Sequence, residues 1–222
     1  MSRQRASDPL PHLHAVAEAL AVPGQPEAVF RALDRALAAV LGHKLFTLLL
    51  HHPDTGESER RYTSRPEAYP VGGRKPLNPT PWAQRVLRDH QPYLGRTAED
   101  IRAVFFDHEL IASLGCASVL NLPVVYDGQI LGTVNLLHEE RWYEEGDIPV
   151  GLTFAALVVP AYLQLTGQLT GPGPSRTTRC RCSADDRQAQ RVEGLVEREA
   201  GRVVEQCRDD HEGDRVAERQ TS

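Results

Sequence analysis

Few side chains in this sequence have types and spacing suited to chemistry. There are four cysteines, and Cys180, Cys182 and Cys207 all fall near the C-terminus. Cys116 stands alone in the main body. Its neighbours Gly115 and Ala117 offer nothing to draw off its proton, so an inert thiol is expected and no disulfide framework. His51-His52 lacks a third ligand at useful spacing. Cys180-x-Cys182 with Cys207 and His211 is the wrong spacing for a zinc knuckle. No G-x-S-x-G elbow, Walker loop or H-E-x-x-H helix is present. We therefore expect no catalysis, no metal and no cofactor. Recognition chemistry is what remains. Arg74, Lys75, Arg96, Asp107 and His108 share one irregular segment, where Arg74 or Lys75 could bind a carboxylate or phosphate, or could sit in a solvated loop. Trp82, Tyr93, Phe105 and Phe106 are interleaved with them. An aromatic stripe of that kind can equally be ordinary core.

Composition narrows the partners. The chain has 222 residues, with 25 Lys+Arg against 30 Asp+Glu and a net charge of -5. This is no nucleic-acid footprint, and the first helices are neither basic nor numerous enough for a helix-turn-helix. The N-terminus lacks a signal-peptide layout, so a reducing, cytoplasmic setting is expected. Ile148 to Thr170 carries no charge and is long enough to span a membrane. Pro149, Gly151, Thr153, Pro160 and Gln164 favour a packed core helix bent at Pro160 instead, so no membrane partner is expected. From Gly171 the composition shifts. Gly171-Pro172-Gly173-Pro174 reads as a linker, and residues 171–222 read as a poorly ordered or weakly helical, Arg-rich tail.

The elements that must position these residues follow from periodicity. Leu13, Val16 and Leu20 are at helical spacing, and Pro23-Gly24 breaks the run. Val29, Phe30, Leu33, Leu37, Val40 and Leu41 form a second helical stripe ending at Gly42. Leu45–His51 reads as a strand and Glu57–Ser64 as an exposed partner to it. Arg65 to Asn78 is irregular. Thr80 caps a helix with Pro81 in its first turn, Pro92-Tyr93-Leu94 is a short extended piece, and Glu99–Leu114 holds one or two short helices. Two apolar runs, 118–126 and 129–138, flank Asp127-Gly128, a strong type I′ hairpin signal. That turn sets Tyr126 against Gln129, Val124 against Leu131, Leu122 against Thr133, Leu120 against Asn135 and Ser118 against Leu137. Both hairpin faces are mostly apolar, so the sheet should be covered on both sides.

The stretch L-N-L-P-V-V-Y-D-G-Q-I-L-G-T-V-N-L resembles the closing hairpin of a GAF domain. The matching residues are Ser118, Leu122-Pro123-Val124, Asp127-Gly128 and Leu131-Gly132. The element order is also similar to that family over about residues 10–167. Y-P-V-G-G-R-K and F-F-D-H-E-L-I-A-S-L-G-C look like a group of small stand-alone bacterial GAF proteins. The resemblance implies an α+β fold: an antiparallel sheet, a terminal helical layer on one face, and short helices over a ligand pocket on the other. It implies binding of a small metabolite, anionic or polar-aromatic, and pairing of two copies through the terminal helices, with Leu13, Val16 and Leu20 facing either the second copy or the sheet.

On the hairpin register above, Ser118, Leu120, Thr133 and Asn135 would wall that pocket. The face of Asn121 and Val134 is the alternative, if Gly132 approaches the middle helices. Trp82, Tyr93, Phe105, Phe106 and His108 would form the lid, with Arg74 or Lys75 meeting an anion. Ser118, Thr133 and Asn135 could instead simply bond neighbouring backbone. Two further readings stay open. One is a redox enzyme similar to the free methionine-R-sulfoxide reductases, although those use several cysteines in the pocket region and this chain offers one. The other is a ligand-free dimerisation module.

Overall fold

The computed structural model describes residues 8–169; the expected tail at 171–222 lies outside them. Helix α1, Pro9–Leu20, opens with Asp8 accepting from the Leu10 N–H. Helix α2 is Glu27–Val40, and its predicted stripe is buried. The carbonyls left unpaired where α2 ends are bonded from far along the chain. Trp142 Nε1 donates to the Leu41 carbonyl and Tyr143 Oη to that of Gly42.

Strands β1 (Leu45–His52) and β2 (Glu57–Thr63) form a hairpin, and β3 (Arg74–Pro76) adds an edge within the stretch expected to be irregular. Next come α3 (Pro81–Ala83), continued by a π-helical turn over Gln84–Arg88, and β4 (Tyr93–Gly95). Thr80 accepts from the Ala83 N–H, the predicted cap. Helices α4 (Ala98–Val104) and α5 (His108–Ser113) lead into β5 (Ser118–Tyr126) and β6 (Gln129–His138). Helices α6 (Asp147–Leu157) and α7 (Val159–Leu165) close the described chain. They are bent by 47°. Pro160 lies in the first turn of α7, where its missing N–H and its ring interrupt the ladder. Among the described residues no single helix is long and apolar enough to cross a membrane. The bent pair passes by length and composition, but Phe154, Ala155, Val158, Ala161 and Tyr162 are buried in the core.

All six strands form one antiparallel sheet in the order β3-β2-β1-β6-β5-β4. The larger core joins α1, α2, α6 and α7 to one face. A smaller apolar cluster containing Ile101, Ile111, Cys116, Val119 and Leu137 lies on the other.

The hairpin turn forms as expected, with positive φ at Asp127 (48°) and Gly128 (69°) and Tyr126 opposite Gln129. The register beyond it does not. Val125 pairs with Ile130 but Val124 pairs with Gly132, so Leu131 is an extra residue in β6. This β-bulge shifts every later pair by one: Leu122 meets Val134, Asn121 meets Asn135 and Ser118 meets His138. A Cβ at Gly132 would fall on the Leu49 carbonyl and the Tyr162 ring. The glycine admits a tyrosine side chain and the neighbouring strand, not the helix backbone expected.

A second bulge lies in β2. Leu49 pairs with Arg60 and Leu48 with Tyr62, leaving Arg61 as the extra residue. Tyr62 therefore turns to the terminal helices, edge-on to Phe30, while Arg60 turns to the opposite face.

Helix α1 packs its apolar side inward. Val16 is fully buried, and Leu13 and Leu20 pack on the same core. Of the two placements left open for these three, the side turned to the sheet is the one observed, where their apolar area is taken from water within the chain.

Candidate functional site

The bulges decide which residues meet. Thr47, Asn135 and Asn121 sit directly opposite one another on β1, β6 and β5, on the face away from the terminal helices. The polarity of their contacts is dictated by Trp82 above them, because an indole N–H can only donate. Trp82 Nε1 donates to Asn121 Oδ1 at 2.9 Å, Asn121 Nδ2 to Asn135 Oδ1 at 2.7 Å, and Asn135 Nδ2 to Thr47 Oγ1 at 3.2 Å. One hydrogen on Asn121 Nδ2 and the Thr47 hydroxyl hydrogen are left over as donors.

This ladder floors a cleft of about 290 Å³. Leu45, Leu49, Val119 and Leu137 supply the apolar floor, and Tyr69, Trp82, Phe105 and Phe106 the aromatic walls. Trp82 and Tyr93 each meet Phe105 edge-on, at 6.2 and 6.4 Å between ring centroids. Phe106 is 77 % exposed and lies under the Lys75 ammonium at 4.2 Å, at the rim.

The charged wall comes from β2 and the loops. The Arg60 guanidinium stacks 4.7 Å over the Tyr69 ring, and its Nη1 donates to the Pro70 carbonyl at 3.1 Å. Its Nε is buried without a partner. Burial lowers the Arg60 pKa, while the nearby Tyr69 and Asp107 raise it. Tyr69 Oη donates to Asp107 Oδ2 at 2.9 Å. Burial first, then the Asp107 charge, pushes that phenol well above its ordinary value.

Of the predicted wall, Asn135 lines the cleft. Thr133 shares that face but lies beyond the lining, buried, with Oγ1 unpartnered. Ser118 and Leu120 have the opposite parity, and Leu120 packs in the terminal-helix core. The bulge at Leu131 is the reason for this correction. Of the predicted lid, Trp82, Phe105 and Phe106 line the cleft. Tyr93 stands behind Phe105 and donates to the Asp100 carbonyl, while His108 Nδ1 is held by the Phe105 carbonyl. Lys75 lines the cleft and Arg74 does not. Arg74 lies opposite Glu59 in the β2–β3 ladder and pairs with Glu57 and Glu59 on the other side of the sheet edge. Arg60, Tyr69 and Thr47 were missed as site residues, and Asn121 had been placed only on the alternative face. Asn121 carried a signal, an asparagine inside an apolar strand run, while Arg60 carried none.

Cys116 does not line the cleft. It lies in the smaller apolar cluster, where burial pushes its thiol up to about 11 against the pull of Lys44 and Arg65. Among the described residues no cluster of three or more His, Cys, Asp or Glu side chains could hold a metal ion.

An antiparallel six-stranded sheet with helices on both faces makes this an α+β protein, and its fold is that of the GAF domains on which it superposes. No protein-family model and no curated protein matches the sequence. Solved structures do. The GAF domain of a phosphoenolpyruvate-protein phosphotransferase from Coxiella burnetii superposes with a TM-score of 0.60 at 20 % identity, covering 75 % of this chain and 100 % of that one. The phycocyanobilin-bound GAF domain of a cyanobacterial phytochrome gives 0.58 at 16 %, covering 74 % and 99 %. The GAF domain of a two-component sensor histidine kinase from Bacillus halodurans gives 0.51 at 14 %, covering 65 % and 97 %.

Proposed function

We propose that this protein is a cytoplasmic, non-catalytic sensor that binds a small metabolite in the cleft over the Thr47–Asn135–Asn121 ladder and signals through a second copy or a partner chain. The observation that carries this reading is the void itself. One face of the sheet is packed against α1, α2, α6 and α7, while the other keeps a cleft of about 290 Å³ above a polar floor bonded to itself. A few placed polar groups within an apolar and aromatic lining suit a small-molecule site. The domains of similar fold include parts of a sensor kinase and a phytochrome.

Strand β6 offers a route for the signal. Asn135 faces the cleft, and two residues away the Thr133 carbonyl accepts from Tyr162 Oη of α7 at 3.2 Å. Ligand contact with the ladder would thus be felt by the terminal helices, which would carry the contact between copies. Thermal-shift screening of a metabolite library tests the proposal. A ligand at a hundred times its dissociation constant should stabilise the fold by about 2.7 kcal/mol. A broad library that leaves the melting temperature unmoved would remove the sensing reading.

A further inference from the structure

We propose that the metabolite is a small planar monocarboxylate, its carboxylate held by Arg60 and its ring enclosed by the aromatic walls. This rests on the sensing reading and names its ligand class. Arg60 carries the argument. It is a half-buried guanidinium lining the cleft, stacked in place on Tyr69, and its Nε has no partner. A buried, unpartnered donor on a charged group is costly to leave unmade. Neighbouring Arg61 and Arg74 both pair with Glu59, but no carboxylate among the described residues lies within ion-pair distance of Arg60. A planar guanidinium with free N–H groups matches a carboxylate's paired oxygens.

Charge, hydrogen bonding and size narrow the occupant further. Arg60 and Lys75 are the cleft's two cations, and Asp107, already bonded by Tyr69, is its carboxylate. The balance is a single net positive charge, suited to a monoanion. The floor's leftover hydrogens can donate to acceptors on the ligand, as a carboxylate or a ring hydroxyl would supply. The volume of about 290 Å³ is roughly twice the ~150 Å³ that admits benzene. One ring with a short acidic substituent fits, whereas a tetrapyrrole does not.

Matched acids and amides test the claim on the full chain: benzoate against benzamide, 4-hydroxybenzoate against its amide, and further pairs of that size. Calorimetry should show the acid of a binding pair binding about 10- to 100-fold more tightly than its amide, as expected for a hydrogen bond to a charged group. Arg60→Gln should bring that acid down to its amide's level and leave the amide unchanged. Lys75→Gln, at the exposed rim, should cost about 5-fold or less. Amides that bind as well as acids, or an Arg60→Gln variant with undiminished acid binding, overturn the inference. The same holds if only neutral members of the metabolite library bind, and then sensing survives without it. If neither the paired set nor the library binds, both readings fall.

Discussion

On the side of the sheet turned to α1, α2, α6 and α7, β5 and β6 present Leu120, Leu122, Val124, Val134 and Leu136, none more than 1 % exposed. On the side turned to α3, α4 and α5, the same strands present Val119, Asn121, Thr133, Asn135 and Leu137, and a cleft lies above them. Alternate residues of one ribbon thus perform different tasks. The apolar face is filled by side chains from four helices and supplies most of the buried apolar area, hence most of the driving force for folding. The cleft face keeps its floor in place by cross-strand bonds between side chains, so no roof element has to fill the space above it.

Substitutions on the two faces can break that contrast. Phe154→Ala, on the helix side, should cost about 3–5 kcal/mol in urea unfolding, because the surrounding helices cannot collapse into the hole. Leu137→Ala, on the cleft side, should cost less than about 2 kcal/mol, since the space it opens joins an existing void. Equal losses would mean that the cleft face is packed as tightly as the other. Gly132→Ala tests the junction between the faces. The new methyl would press on the Leu49 carbonyl and the Tyr162 ring, and overpacking of that kind costs about 1–3 kcal/mol. A variant as stable as the parent would show that the bulge can relax.

Asn121→Leu removes the acceptor of Trp82 and the donor to Asn135 at once. It should lower stability by about 1–2 kcal/mol and abolish any ligand-induced shift. Retention of that shift would move the site off the ladder. The smallest effect concerns Cys116. Its thiol is raised to about 11, above the ~8.5 of a free cysteine, so near pH 8 it should stay protonated and react with iodoacetamide far more slowly than in urea. The folded state holds the proton more tightly, so stability from this group is complete below about pH 8.5 and is lost as pH rises towards 11. Rapid alkylation at Cys116 itself, located among the four cysteines by peptide mass mapping of the native protein at neutral pH, would contradict the burial and revive thiol chemistry.

Much of the fold was legible in the sequence because it depends on strong local signals. The α2 stripe, the Asp127-Gly128 turn, the Thr80 cap and the Pro160 bend each have a mechanism confined to a few residues. The faces were not legible, because each depends on one residue of register. Gly132 was read as room for a helix, when a glycine inside a strand also marks a bulge. Accounting for Leu131 as an extra residue would have brought Asn121 opposite Asn135 and moved Ser118 and Leu120 off the site. The β2 bulge at Arg61 has no comparable marker, so nothing local pointed to Arg60 over Arg74. The ion pairs that occupy Arg74 depend on β3, a three-residue edge strand without periodicity of its own.

The two tryptophans provide the most direct test. Trp82 donates into the cleft floor, whereas Trp142 donates to the Leu41 carbonyl at the end of α2. In a nitrogen–proton correlation spectrum, titration with a ligand found by screening should move the Trp82 indole resonance strongly and leave that of Trp142 nearly still. A ligand that moves Trp142 and leaves Trp82 in place would put its site outside the cleft and contradict the account.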